Sequence, residues 1–170
     1  MIDNHEADSD WIKRHELLFR VRLSSLYHRK RERFFDLLDR WFKFATVVLG
    51  AASIARVLDL NPISRDVILA VITMCGALSL VFSFSERARR HSDFAKDYGS
   101  LESDIVAKGE IDCVLWTLGT WEGKLAQLEA VEPPVLRTLV QQCEYELHLA
   151  EGSTTAKSPS WWDRAVMQLV

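Results

Sequence analysis

The chain has 170 residues and a mass of 19.5 kDa, which is enough for one domain. With 48% hydrophobic and 26% charged residues, it is neither a disordered nor a collagen-like chain. Three cysteines without paired spacing argue against a disulfide-stapled secreted module. The net charge of −3 is unevenly spread: residues 1–100 carry sixteen basic and thirteen acidic side chains, whereas residues 101–170 carry five and eleven.

Residues 1–40 predict a charged cytoplasmic helix that leads up to a membrane. Ser9 or Asp10 can cap its first turn. The apolar residues Trp11, Leu18 and Leu26 are spaced along an otherwise polar sequence. We expect this helix to run on into the first membrane span. The acidic start MIDNHEADSD lacks the apolar core of a signal peptide, so the first span is expected to act as the insertion signal.

Residues 41–60, WFKFATVVLGAASIARVLDL, predict a first transmembrane helix. Lys43, Arg56 and Asp59 interrupt it, but Lys43 and Arg56 lie near its two ends. Long basic side chains there reach the headgroups and cost far less than the roughly 2.5 to 3.5 kcal/mol of a central charge. Residues 61–66 follow as a short external loop, because Asn61 and Pro62 signal a turn.

Residues 67–84, VILAVITMCGALSLVFSF, predict a second and stronger transmembrane helix. None of these residues is Asp, Glu, Lys, Arg or His, and a helix of this length spans about 27 Å, close to the thickness of the hydrocarbon layer. The alternative is the core helix of a soluble protein, although such helices are usually shorter and carry polar residues along one edge. The two spans together predict a helical hairpin.

Basic residues gather on both outer flanks of this hairpin, whereas Arg56 and Arg65 near the connecting loop are offset by Asp59 and Asp66. By the positive-inside rule, both termini are cytoplasmic. We therefore expect a multi-pass membrane protein. The flanking basic residues are Arg29, Lys30, Arg31, Arg33, Arg40 and Lys43 before the first span, and Arg87, Arg89, Arg90 and Lys96 after the second.

Residues 85–152 predict a cytoplasmic helical domain. Its first helix continues the second span, and apolar residues recur along it at intervals of three and four from His91 to Ile105. A second helix is predicted from Ile111 to a stop before Pro133, and a third from Leu136 to a stop at Gly152. Residues 153–170 predict a loop and a short amphipathic tail that either clasps the helical core or lies in the membrane interface. No segment alternates like a strand, so the predicted fold is all-α.

Catalytic motifs are missing from the sequence. There is no Walker A loop, no GxGxxG after a strand, no HExxH and no GxSxG. The five histidines are scattered among charged segments, and Cys113 and Cys143 are too far apart for a zinc knuckle. We therefore expect neither an enzyme nor a metal or cofactor site.

Small and hydroxylated residues form one stripe on each predicted span, at intervals of three and four. Close helix packing explains such stripes, and the functional alternative is that they face a water-filled lumen. Two spans cannot enclose a pore, so either alternative requires a homo-oligomer, for which we take a tetramer as the working assembly. The candidate pore-lining residues are Thr46, Gly50, Ser53 and Arg56 on the first span, and Cys75, Ser79 and Ser83 on the second.

The basic flanks also form a candidate anion site. Both lie at the cytoplasmic end of the predicted hairpin, and arginine can contact phosphate through two parallel hydrogen bonds. Topology and attraction to anionic lipids explain the same residues without a dedicated ligand. The candidate ligand-binding residues are Arg29, Lys30, Arg31, Arg33, Arg87, Arg89, Arg90 and His91.

The architecture and two stretches of sequence resemble the SLATT family, the SMODS and SLOG-associating two-transmembrane effector domains. The stretches are YHRKRERFFDLLDRW before the first span and ERARRHSDFAKDYGSLESDI after the second, where Ala95, Tyr98, Leu101 and Ile105 match the helical spacing of the family. The resemblance covers most of residues 15–130. Arg56, Asp59 and the Trp161-Trp162 tail do not belong to the family pattern.

This resemblance implies a pore-forming effector of a bacterial antiphage system, which depolarises the inner membrane in an abortive infection. It also implies a nucleotide or oligonucleotide ligand made by a neighbouring nucleotidyltransferase, and the basic residues are its expected seat by charge and position. A different class of function, a passive membrane adaptor that recruits a partner protein through its acidic cytoplasmic helices, remains as the alternative. A holin-like lesion former would have a much smaller cytoplasmic part.

Overall fold

A computed structural model describes the backbone of residues 4–56, 62–108 and 115–152, and the side chains of residues 10–51, 66–67, 69–108 and 117–152. Over these ranges the chain is helical and contains no strand, which confirms the predicted all-α class. The predicted tail and the start of the helix expected at Ile111 lie outside the described residues. The helices are α1 (Asn4–Arg56), α2 (Pro62–Phe82), α3 (Phe84–Ala107), α4 (Leu115–Val131) and α5 (Arg137–Ala150).

Helix α1 is 53 residues long and runs without a break from the charged N-terminal segment into the first apolar segment. It contains no proline, and its single glycine is Gly50. Ion pairs between residues four apart add local support, with Asp36 and Asp39 one turn before Arg40 and Lys43 at 2.8 Å and 2.6 Å. The expected continuity of this helix is confirmed.

Helix α2 begins earlier than the sequence predicted. Residues 62–66, expected to belong to an external loop, form its first turn. Proline is well accepted at the first position of a helix, because its fixed φ suits the helix and its missing N–H would have no partner there. Pro62 therefore starts a helix here instead of marking a loop.

Ser83 separates α2 from α3. Its φ of 44° lies in the left-handed region, which is uncommon for a residue other than glycine. Hydrogen bonds continue around it, since its N–H donates to the Ser79 carbonyl at 3.2 Å and its own carbonyl accepts from Arg87 N–H at 3.1 Å. The predicted continuation of the second apolar segment into the following helix is thus real, with one irregular residue at the junction.

The chain divides into two compact units. Unit 1 comprises the described residues up to Arg31 and those from His91 onward, and unit 2 is Glu32–Arg90. In unit 1, α1 packs against α3, α4 and α5. Its main core contains Leu17, Leu18, Val21, Tyr98, Leu101, Ile105, Leu118, Trp121 and Leu125, with Phe94 and Leu128 packed against it.

The predicted seam of α3 is buried as expected, with His91, Tyr98, Leu101 and Ile105 all inside unit 1. Ion pairs also join α1 to the other helices of the unit. Arg22 Nε lies 2.8 Å from Glu102 of α3, and Arg20 Nη2 lies 2.7 Å from Glu129 of α4.

The connection from α4 to α5 is extended and contains Pro133 and Pro134, so α4 ends at Val131, as the sequence predicted. At its far end the Leu136 N–H donates to the Tyr27 hydroxyl at 3.1 Å. Tyr27 also belongs to a smaller core with Leu139 and Cys143 of α5. This contact fixes the start of α5 against α1.

Unit 2 contains a small aromatic core and a large exposed apolar surface. The core consists of Phe35, Phe84 and Ala88, with the ring of Phe42 stacked on Phe84 at 5.3 Å between centroids. Among the described residues, one helical stretch, Leu69–Ala107, is long and apolar enough to cross a membrane by length and composition, and no part of its apolar window is buried. The described residues thus contain one candidate membrane helix, and many of its apolar side chains are exposed.

The core of unit 1 should tolerate truncation poorly. Leu125 is 1% exposed, and Leu125→Ala should lower the free energy of unfolding by about 2 to 5 kcal/mol because the cavity cannot close fully. The measurement is denaturant unfolding in detergent, followed by circular dichroism. Leu149→Ala makes the same chemical change at an exposed position of α5 and should stay within about 0.5 kcal/mol of the parent. Equal losses in the two variants would contradict this core.

Candidate functional site

The eight predicted ligand-binding residues are divided between the two units. Arg29, Lys30, Arg31 and His91 belong to unit 1, and Arg33, Arg87, Arg89 and Arg90 belong to unit 2. The two sets have different environments, and each is described within its own unit.

In unit 1 the basic residues serve largely internal contacts. Lys30 Nζ forms an ion pair with Glu146 of α5. The Arg29 guanidinium lies near the backbone of Gly99 on α3, although the side chain remains exposed. His91 is only 7% exposed, and its part in ligand binding stays a prediction.

In unit 2 the four arginines are exposed. The Arg87 guanidinium lies 6.0 Å above the centre of the Phe35 ring, at the outer edge of the range for a cation–π contact. Arg90 is 3.9 Å from Glu86, four residues earlier on the same helix. Exposed pairs of this kind contribute little to stability. These guanidinium groups can therefore bind a ligand instead with little loss of stability.

The predicted pore-lining residues lie on half-buried or exposed parts of α1 and α2. Thr46 and Gly50 are half-buried on α1, and the Thr46 hydroxyl donates to the Phe42 carbonyl at 2.8 Å. Cys75 and Ser79 are half-buried on α2, whereas Ser83 is exposed. The side chains of Ser53 and Arg56 lie outside the described residues. The described residues of these stripes thus retain solvent-accessible surface in a single subunit.

A polar cluster is buried in unit 1, and we name it the histidine network. It consists of His28 from α1, His91 and Tyr98 from α3, and Glu132 just after α4. His28 Nδ1 lies 2.8 Å from His91 Nδ1, and His28 Nε2 lies 3.0 Å from Glu132 Oε1. The Tyr98 hydroxyl donates to Glu132 Oε2 at 2.9 Å. One carboxylate therefore holds residues from two helices.

Aromatic rings enclose this network. The His28 ring stacks between Phe94 and Tyr98, with centroid distances of 4.9 Å and 5.6 Å, and Tyr27 meets it edge-on at 5.3 Å. His28 and Tyr98 are fully buried. In such a buried position, a polar atom that loses its partner carries a desolvation cost.

Burial lowers the pKa of His91 to about 4, with further contributions from the neighbouring His28 and from Arg31. His91 is therefore uncharged at neutral pH. Burial and the Glu132 carboxylate together raise the pKa of Tyr98, which stays a hydrogen-bond donor. The direction of the hydrogen bond between the two Nδ1 atoms depends on the tautomers of the two rings.

This geometry suits a proton-bearing structural network better than a metal centre. The two Nδ1 atoms already contact each other directly, and no group of three or more potential ligands converges among the described residues. Cys143 is also inert at neutral pH, since burial raises the pKa of its thiol to about 11.

Sequence analysis missed this network because its members are 63 and 104 positions apart along the chain, counting from His28 to His91 and to Glu132. One signal was present: His91 occupied a position in the apolar seam of α3. A histidine at such a position is buried and needs a polar partner, but the sequence could not identify His28 as that partner.

Comparisons with protein-family models, curated proteins and solved structures find no match to this chain. The SLATT resemblance thus stays a prediction from the two sequence stretches and the architecture.

The histidine network should make stability depend on pH. Since the pKa of His91 is about 4 in the folded state and about 6.5 in an unfolded chain, the unfolded chain binds more protons between these values. Stability is therefore full above about pH 6.5 and falls as the pH drops toward 4, by on the order of 3 kcal/mol from this residue. The measurement is the free energy of unfolding in detergent at pH 7.5, 5.5 and 4.5.

His91→Asn places an amide near the original Nδ1 and cannot titrate, so it should remove this part of the acid-induced loss. Its control is His15→Asn, which removes an exposed histidine outside the network and should keep the loss. A pH profile of His91→Asn that overlays the parent would contradict the assignment.

Proposed function

We propose that this protein is a homo-oligomeric, ligand-gated pore of the bacterial inner membrane that depolarises the cell as the effector of an antiphage system. The observation that carries the proposal is the outward-facing apolar surface of α2. Met74 is 60% exposed, Leu80 80% and Val81 76%. No part of the apolar window of this helical stretch is buried, and exposed apolar side chains along such a stretch are the expected exterior of a membrane helix.

A second span within α1 completes the proposed hairpin. Trp41 and Phe44 are each 60% exposed and Val47 is 69% exposed, so the part of α1 in unit 2 also presents apolar side chains outward. Lys43 lies near the start of this segment with Asp39 as its partner at 2.6 Å. Pairing of this kind lowers the cost of a charge near the membrane surface.

An oligomer supplies what one subunit lacks. Two helices cannot surround a channel, and the half-buried residues Thr46, Cys75 and Ser79 are polar or small enough to face either water or a neighbouring subunit. In the proposed assembly these stripes meet around a lumen. The number of subunits follows from how many hairpins close that ring, and a tetramer is the working assembly.

The exposed arginines of unit 2 are the proposed seat of a nucleotide or oligonucleotide. Arg33 and Arg90 are exposed, the contact of Arg90 with Glu86 is long at 3.9 Å, and guanidinium groups bind phosphate well. Helices α1 and α3 each contribute residues to both units. Phosphate binding can therefore bias helices that continue into the apolar segments.

The first test concerns insertion. Met74→Arg puts a charge at the middle of the second apolar segment and should reduce the membrane-bound fraction, since a central arginine costs roughly 2.5 to 3.5 kcal/mol on insertion. The measurement is the fraction that resists alkaline extraction from membranes. Val106→Arg, at an exposed position of unit 1, is the control and should leave this fraction unchanged. A parent protein found wholly in the aqueous fraction would contradict the proposal.

The second test concerns conductance. Protein reconstituted in liposomes should release a small charged dye in response to a nucleoside triphosphate or a short oligonucleotide. Arg33→Glu with Arg90→Glu should raise the half-maximal ligand concentration about tenfold or more, because charge-assisted contacts are lost. Lys124→Glu with Arg137→Glu makes the same change in net charge on unit 1 and should leave the response intact. Intact vesicles under all these ligands, together with a stable protein partner, would favour the passive adaptor.

A further inference from the structure

A groove opens in unit 2 where α2 ends and α3 begins. Its volume is about 480 Å³, within the roughly 300 to 1,000 Å³ typical of small-ligand sites. Residues of α1, α2 and α3 line it, so it is built from three helices of one unit. Its charged and hydroxyl side chains include Asp39, Lys43, Ser79, Ser83, Glu86 and Arg89.

The groove carries charges of both signs. Lys43 and Arg89 offer two cations, and Asp39 and Glu86 offer two carboxylates. Asp39 is largely buried, whereas Lys43, Glu86 and Arg89 are exposed. Two carboxylates would repel a polyanion such as a nucleoside triphosphate, so this lining suits a ligand that carries one phosphate and one cation.

The hydroxyl groups add acceptors for that cation. Ser83, with its left-handed backbone, donates its hydroxyl proton to the Leu80 carbonyl at 3.1 Å. Because that proton is already used, the Ser83 oxygen faces a ligand as an acceptor. Oxygen acceptors bind a primary ammonium, whereas a quaternary ammonium is bound by aromatic cages.

The rim of the groove is apolar on the side of α2. Leu80 lines the groove and is 80% exposed, and the next two residues, Val81 and Phe82, are 76% and 42% exposed. A water-soluble zwitterion gains nothing from such a rim, but a ligand with acyl chains does. The polar groove and its apolar border thus match the two parts of a phospholipid.

We propose that this groove binds the headgroup of a phospholipid with a primary ammonium, such as phosphatidylethanolamine. Arg89 contacts the phosphate, Glu86 and the Ser83 oxygen receive the ammonium, and the acyl chains lie on Leu80 and Val81. Lys43 and Asp39 remain paired with each other at 2.6 Å beside the headgroup. The inference rests on the membrane placement in the proposed function, but not on conductance or on the nucleotide ligand. It assigns Arg89 to lipid.

Native mass spectrometry of the full-length protein in detergent tests this assignment. Phosphatidylethanolamine, phosphatidylcholine and phosphatidylglycerol with identical acyl chains are titrated separately, and the first should bind about tenfold more tightly than the others, as expected for one charge-assisted contact. Arg89→Gln should weaken phosphatidylethanolamine binding about tenfold. Glu86→Gln should weaken phosphatidylethanolamine but strengthen phosphatidylglycerol, because it removes an ammonium acceptor and a repulsive charge. The control is Arg40→Gln, an exposed cation of unit 2 outside the groove.

Equal affinities of the parent protein for the three lipids would overturn the proposal, whether or not any variant folds. Equal effects of Arg89→Gln and Arg40→Gln would also overturn it, since they would indicate general attraction to lipid. Glycerophosphoethanolamine that competes at the same concentration as the lipid would overturn the lipid assignment and indicate a soluble phosphate ester. A protein that selects the lipid but releases no dye would contradict only the pore, and one that releases dye without selection would contradict only this groove.

Discussion

The uncovered apolar surface of α2 is the constraint on which the rest of this protein depends. No part of the apolar window in Leu69–Ala107 is buried by the described residues. Leu80 and Val81 are among its most exposed side chains, and water would disfavour them by an amount proportional to their area. A bilayer, or other subunits within a bilayer, removes that cost. Membrane insertion is therefore the first requirement of the proposed function.

Along the sequence of α3, the apolar segment is followed by residues of unit 1, which has a different physical character. Unit 1 combines an apolar core with the histidine network, in which Glu132 contacts His28 from α1 and Tyr98 from α3. Buried polar groups of this kind are costly when any partner is missing, so they favour one arrangement of the helices. His91 takes part as an uncharged residue. We therefore expect the histidine network to stabilise unit 1 at neutral pH and to lose part of that stabilisation in acid.

The basic residues near the apolar segments are therefore divided between two environments. In unit 1, Lys30 is engaged with Glu146 and Arg22 with Glu102, so their charges serve packing between helices. In unit 2, Arg89 borders a groove that also holds two carboxylates, whereas Arg33 and Arg90 lie outside that lining. The proposed roles follow this division, with phospholipid at the groove and a nucleotide at the other exposed arginines. Grouping these residues by charge alone would have assigned one ligand to both sets.

The sequence by itself determined the helical class, the strongest apolar segment, the end of α4 before Pro133 and the buried seam of α3, because each depends on local spacing or on a residue with a fixed backbone preference. It misjudged residues 62–66, where proline can start a helix as well as mark a turn. It grouped His91 with basic residues that are exposed, whereas the structure buries the His91 side chain. Only the tertiary structure decided which distant residues meet, such as His28 with His91 and Tyr27 with Leu136. The reason is physical: one-dimensional periodicity shows that a side chain is buried, but the partner that satisfies its polar atoms depends on how helices far apart in the chain pack together.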